Sequence, residues 1–110
     1  MIESWRKKTV VSHPATATIA DGIAVRIPMP ECVADLEGVI DDGLTVTEAS
    51  IREAVRWAHH DAGLALEPSG AVTLAALIQH GARFRNQTVA IVLCGANVSP
   101  EEHARLLRSS

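Results

Sequence analysis

Hydrophobic and polar positions follow two different periods along this chain. Thr88-Val-Ala-Ile-Val-Leu93 carries no charge, and four of its six residues are Val, Ile or Leu. Such a run reads as a strand buried on both faces, the type found in parallel sheets covered by helices. It breaks at once into Cys94-Gly-Ala-Asn97, a loop of small residues. In open α/β sheets ligands bind just beyond the carboxyl ends of the strands, which points to this loop. Upstream the period is helical. Ile51, Ala54, Val55, Ala58 and Ala62 recur at i, i+3, i+4, i+7 and i+11 and form one apolar face. Thr45-Val-Thr-Glu48 has capping-box spacing and Thr47 is an equally good N-cap, while Gly63 is the natural C-cap. Glu67-Pro-Ser-Gly-Ala71 opens the next helix, with Pro68 suited to its first position. Val72 to Ile78 is apolar nearly all round, so a buried helix is expected, ending at Gly81.

The remaining segments are shorter. Residues 2–8 read as the tail of a helix, with Arg6-Lys7-Lys8 favoured at its C-terminal end. Thr9 to Thr18 reads as a loop, where Pro14 biases His13 to an extended conformation. Ile19 to Val25 is a short helical or irregular stretch. Glu31 to about Gly38 places Val33, Leu36 and Val39 at helical spacing. Leu44-Thr-Val46 is a short strand candidate, and Arg83 to Gln87 a polar connection. Ser99-Pro-Glu-Glu102 is a strong start for a final helix, with Ser99 as cap and Pro100 behind it. The order β-α-α-β-α argues for α/β architecture. One convincing strand and one short candidate fall below the roughly four to six of a usual sheet. The expectation is therefore the end of a larger domain.

Composition narrows the function classes. The 110 residues are 47% hydrophobic, ample for one core, and the formal charge of −3 with scattered Lys and Arg gives no footprint for nucleic acid. No apolar stretch reaches membrane-span length, and Met1 to Trp5 lacks a signal-peptide core. Cys32 and Cys94 show no CxxC spacing, so a reduced, cytoplasmic chain is expected, with Cys32 facing the core. Tyr is absent and Phe84 is the single Phe, which argues against aromatic stacking platforms. Trp5 and Trp57 read as packing residues. His59-His60-Asp61 resembles a metal cluster, but adjacent helical residues diverge, so a solvated helix end is expected and no metal site. His13, His80 and His103 are isolated and read as surface residues.

Four motifs then stand in fixed order: Thr18-Ile-Ala-Asp-Gly-Ile-Ala24, the Val46-Thr-Glu48 helix start, Glu67-Pro-Ser-Gly-Ala71 and Leu93-Cys-Gly-Ala-Asn-Val98. In order and spacing the chain resembles the C-terminal part of threonine dehydratases, serine racemases and related serine/threonine ammonia-lyases. These are pyridoxal-phosphate enzymes of the tryptophan-synthase-β-like fold (fold type II). The resemblance runs from about Met1 to Leu107. It implies an α/β fold in which residues 1–110 are a C-terminal portion of a three-layer catalytic domain, with few parallel strands among helices. It also implies a set of cofactor-binding residues. Cys94 matches the Ser or Cys beside the pyridine nitrogen, Glu67 the Glu near the ring, and Gly22 the glycine whose backbone approaches the cofactor. Gly95 and Asn97 complete the loop.

The family's Schiff-base lysine, its glycine-rich phosphate loop and the acidic metal site of many members belong to an earlier region. Lys7 and Lys8 are the only lysines and match a mid-chain helix, so no catalytic residue is assigned here. No GxGxxG or P-loop pattern occurs either. The implied activity is β-elimination from threonine or serine, giving a 2-oxo acid and ammonia, with the chain alone expected to be inactive. A racemase activity in the full enzyme, a non-catalytic remnant, and a split-enzyme half needing an N-terminal partner are the alternatives. An unrelated small α/β binding module would require the four-motif match to be accidental. An amino-acid substrate and self-association into a homo-oligomer are the expected partnerships.

Overall fold

The computed structural model describes residues 1–108. Five α-helices carry the fold: α1 (Ile2–Lys7), α2 (Pro30–Asp35), α3 (Glu48–Ala62), α4 (Val72–His80) and α5 (Pro100–Arg108). Short 3-10 turns at Asp21–Ile23, Pro68–Ala71 and Gly81–Phe84 join them. α3 begins where the hydroxyl of Thr47 accepts from Ser50 N–H at 3.2 Å, so Thr47 and not Thr45 is the cap. It ends at Gly63, whose φ of 66° opens the left-handed cap, with Leu64 N–H on the Ala58 carbonyl at 2.9 Å. The last helix starts as its sequence predicts: Ser99 Oγ accepts from Glu102 N–H at 3.1 Å.

The core is where the apolar faces of α3, α4 and α5 meet. Ile51, Ala54, Val55 and Ala58 of α3 pack with Leu74 and Ala75 of α4, Leu106 of α5, and Ala20, Leu66 and Ala71 from the connections. Alanines at Ala54, Ala58, Ala71 and Ala75 are fully buried, and such small side chains let the α3 and α4 backbones approach closely. Ala62, expected on the same face, lies exposed at the end of α3. α4 buries only its Leu74 and Ala75 side, while Ala76, Leu77 and Ile78 stay half-covered. The all-round burial expected of this helix is thus not reached within the chain.

Four local expectations are corrected. No β-strand forms among the described residues, either at Thr88–Leu93 or at Leu44–Val46. A ladder needs a neighbouring strand, and among the described residues none is formed to provide one. Cys32 is exposed, because α2 is only two turns long and buries Val33 alone. Trp57 projects from the outer face of α3 and is 48% exposed. His103 is buried, not superficial: its ring meets that of His59 edge-on with centroids 5.1 Å apart, and its Nε2 lacks a hydrogen-bond partner among the described residues. No helix among the described residues is long and apolar enough to cross a membrane.

Candidate functional site

Two turns interlock at the centre of the site. Pro68 presets the backbone of the 3-10 turn, and Gly70 N–H and Ala71 N–H both reach the Glu67 carbonyl, at 3.0 and 3.2 Å. Glu67 N–H in turn donates to the Gly95 carbonyl at 3.1 Å, tying this turn to the loop beyond Leu93. The contact is too close for side chains. A Cβ on Gly70 would land on the carbonyl oxygen of Cys94, and one on Gly95 would land on the Glu67 carboxylate. Gly95 also sits at φ +98°, a region L side chains rarely adopt. One turn further on, Thr73 Oγ1 donates to the Val92 carbonyl at 2.9 Å. The residues around Cys94 are therefore held by two hydrogen bonds, at Val92 and at Gly95, with Gly70 in close contact between them.

A third strip, Thr18–Gly22, closes on the same turn. Glu48, the first residue of α3, accepts from Thr18 Oγ1 at 2.5 Å and from Ile19 N–H at 3.0 Å. Thr18 Oγ1 accepts in turn from Ala20 N–H at 3.1 Å. Gly22 is then so close to the 67–71 turn that a Cβ would come within 2.9 Å of Ser69 Oγ. A cavity of about 850 Å³ lies between these strips and α5, and Gly22, Glu67, Ser69, Asn97 and Arg52 contribute to its lining.

The five residues singled out from the sequence thus fall in one neighbourhood. Gly22, Glu67 and Asn97 share the cavity, and Gly95 lies under the Glu67 carboxylate. Cys94 is exposed beside Gly95, joined to the site through its backbone and outside the cavity lining. Thr18, Glu48 and Thr73 were missed as site residues. Glu48 could be read only as a helix start, since its partners lie about thirty positions back, beyond any local pattern. Among the described residues no group of three or more His, Cys, Asp or Glu is gathered to hold a metal ion.

Residues 1–95 match the family described as "Pyridoxal-phosphate dependent enzyme". The chain belongs to that family. It is 32% identical over 105 residues to the L-threo-3-hydroxyaspartate ammonia-lyase of a Pseudomonas species, covering 96% of this chain and 33% of the relative. Among solved structures it superposes on the T.th. threonine deaminase with a TM-score of 0.81 at 31% identity, covering 89% of this chain and 36% of that one. The maize serine racemase gives a TM-score of 0.78 at 26% identity, over 94% of this chain and 34% of that one. The chain spans about a third of the length of the relatives it matches.

These neighbours are fold type II enzymes, so the fold class inferred from the four motifs holds although this chain forms no strand of its own among the described residues. Members of this pyridoxal-phosphate dependent family take their chemistry from the cofactor. Gly22 and Gly95 carry no Cβ where the Ser69 hydroxyl and the Glu67 carboxylate stand, and those two polar groups, with the Asn97 amide, line the cavity as groups able to hold a polar ligand. A Schiff-base lysine has no candidate here, because Lys7 and Lys8 both lie at the end of α1, on the surface with Glu3 and Glu37.

Proposed function

We propose that residues 1–110 form the C-terminal portion of the catalytic domain of a pyridoxal-phosphate dependent ammonia-lyase acting on threonine or serine. The observation that carries this reading is the Gly70–Cys94 and Gly95–Glu67 interlock, which brings the Cys94 loop against a turn whose Glu67 lines an open cavity together with Gly22 and Asn97. The cofactor, when bound, supplies an electron sink for the pair released at the substrate Cα. Cys94 would stand beside the pyridine nitrogen of the bound cofactor, as the family resemblance implies. A thiol there would offer only a weak hydrogen bond and, unlike a carboxylate, would not hold a proton on that nitrogen. Glu67, held over Gly95, would be an acceptor for an N–H or O–H group of the ligand. Gly22 would leave its backbone open to the cofactor, and Asn97 offers an amide to the cavity.

The proton at Cα is moved by a lysine outside these residues, so the chain by itself does not turn over substrate. In this reading it works in a reduced, cytoplasmic setting, consistent with two free thiols, and within a homo-oligomer of complete domains. A serine racemase activity is the second reading, favoured by the maize serine racemase likeness. The test is a chimera in which residues 1–108 replace the matched third of the T.th. threonine deaminase. Threonine- or serine-dependent release of a 2-oxo acid and ammonia is expected, with loss of about tenfold or more in Glu67→Ala. Formation of D-serine without ammonia favours the racemase. A folded chimera that binds the cofactor and does neither overturns the reading, as does turnover by the 110-residue chain alone.

A further inference from the structure

Glu48 opens α3, yet among the described residues its carboxylate accepts nothing from its own helix, where Thr47 already supplies the cap. Both its oxygens serve another segment. One accepts from the Thr18 hydroxyl at 2.5 Å and the other from Ile19 N–H at 3.0 Å. An ionised carboxylate is acceptor-only, so it can hold two donors of one strip at once. Thr18 Oγ1 accepts in turn from Ala20 N–H, and the Ala20 carbonyl accepts from Ile23 N–H at 3.2 Å, which closes the turn carrying Gly22. Every other hydrogen bond of residues 18–25 among the described residues is local. Ile19 and Ala20 also pack on the core, but apolar contact is non-directional and does not fix a register.

The start of α3 is itself tied to α4. The side-chain carbonyl of Gln79 accepts from Thr47 N–H at 2.8 Å and from Ser50 Oγ at 2.9 Å. α4 continues directly from the 67–71 turn. The 18–22 strip and that turn are thus referred to one pair of helices, and they meet where a Cβ on Gly22 would come within 2.9 Å of Ser69 Oγ. We propose that Glu48 is a positioning residue, which fixes the 18–22 strip on the α3–α4 pair and so sets where the Gly22 backbone stands at the cavity. The proposal rests on the ammonia-lyase reading above and adds to it the group that holds one wall of the cofactor's place.

The test has two arms. In the full chain, read by amide hydrogen exchange, Glu48→Ala should speed exchange at Ala20 and Ile23 about tenfold or more, while the amides of Ile51 to Ala58 stay within about threefold of the parent. Unchanged exchange at Ala20 and Ile23 overturns the proposal. The second arm places the same variant in the chimera with the T.th. threonine deaminase and reads cofactor affinity by absorbance titration. A loss of about tenfold is expected in Glu48→Ala. Glu48→Gln should lose less, because it keeps an amide oxygen for Ile19 N–H and an amide N–H for Thr18 Oγ1. Thr47→Ala is the control: it weakens the same helix start, leaves the 18–22 strip bonded, and should bind the cofactor as the parent does. Glu48→Ala and Gly22→Ala should be non-additive in affinity, since both act through one stretch of backbone. Equal losses in Glu48→Ala and Thr47→Ala mark general destabilisation and overturn the proposal. So does a Glu48→Ala chimera that binds the cofactor as tightly as its parent, which leaves the ammonia-lyase reading standing. A folded parent chimera that binds no cofactor overturns that reading instead, and faster exchange at Ala20 and Ile23 in the chain then still supports Glu48 as the anchor of the strip.

Discussion

Val55 on α3 and Val92 just before Cys94 are the same residue type with opposite fates. Val55 is fully buried in the core, whereas Val92 stands in solvent. Each lies in a stretch whose sequence asks for burial. α3 answers with contacts on α4 and α5. The 88–93 stretch finds cover only on its α4 side. A helix satisfies its backbone internally and needs one neighbouring face, whereas a strand needs partners along both edges as well. The fold therefore packs a core of its own where α3, α4 and α5 meet and is open where its pattern is β. The candidate site lies on the seam between these regions.

Deleting core volume should separate the two most strongly. Leu106→Ala removes a buried side chain that fastens α5 to α3 and should cost about 2–5 kcal/mol in urea unfolding followed by circular dichroism. Val92→Ala should stay within about 0.5 kcal/mol of the parent, as exposed substitutions do. Equal costs at the two positions would show that the 88–93 stretch is as well packed as the helices, and the contrast would fail.

The seam itself is probed by glycine. Gly70→Ala forces a methyl into the Cys94 carbonyl, a backbone atom that cannot swing aside, and should cost about 1–3 kcal/mol or more. Because it separates the 67–71 turn from the 94–95 loop, the Glu67 amide should also lose protection in hydrogen exchange. Gly81→Ala is the matched control: nothing lies near its Cβ position, its φ is −53°, and a neutral to slightly stabilising change is expected. If both variants behave alike, the interlock does not hold the site together.

How much of this was legible in the sequence follows the same division. The α3 face, its Gly63 cap, the Pro68 turn and the Ser99 start are local patterns, and each forms at the residues that encode it. The motif order placed Gly22, Glu67, Gly95 and Asn97 in one neighbourhood, though no period in the chain says that Gly70 must touch Cys94. The burial of His103 against His59 joins helices more than forty positions apart. Glu48 was hidden for the same reason, since a carboxylate at a helix start looks like capping whatever it bonds. The strand at 88–93 was read from correct chemistry, but strand formation depends on atoms this chain does not place beside it.

Caps give a smaller and more local test. Thr47→Ala and Ser99→Ala each remove an accepted N–H bond in the first turn of α3 or α5 and should cost about 1 kcal/mol apiece. The two sites lie on different helices with no shared bond, so the double variant should be nearly additive in urea unfolding. A strongly non-additive result would mean that α3 and α5 fray together as one unit, extending the cooperative core to its ends.

The faintest link between the regions is electrostatic, and its sign can be worked out. Asp42 accepts from Gly43 N–H at 2.8 Å and pairs with Arg6 of α1 at 3.2 Å and with Arg83, in the turn after α4, at 2.5 Å. The Gly43 N–H, then Arg6 and Arg83, hold its carboxyl below the usual carboxylate range. A carboxyl with a lower pKa in the folded state contributes stability above the unfolded value of about 3.9, and loses it as pH falls through the folded one. The group is solvent-exposed and screened, so the contribution is small. Asp42→Asn should leave the stability of the helical core at pH 7 almost unchanged and flatten its decline between about pH 4 and pH 2. Parent and variant curves should converge at the acid end, and adding salt should shrink the gap above it. A gap that instead widens on acidification would mean that Arg6 and Arg83 are held by other acceptors, and that Asp42 does not bridge α1 to the turn after α4.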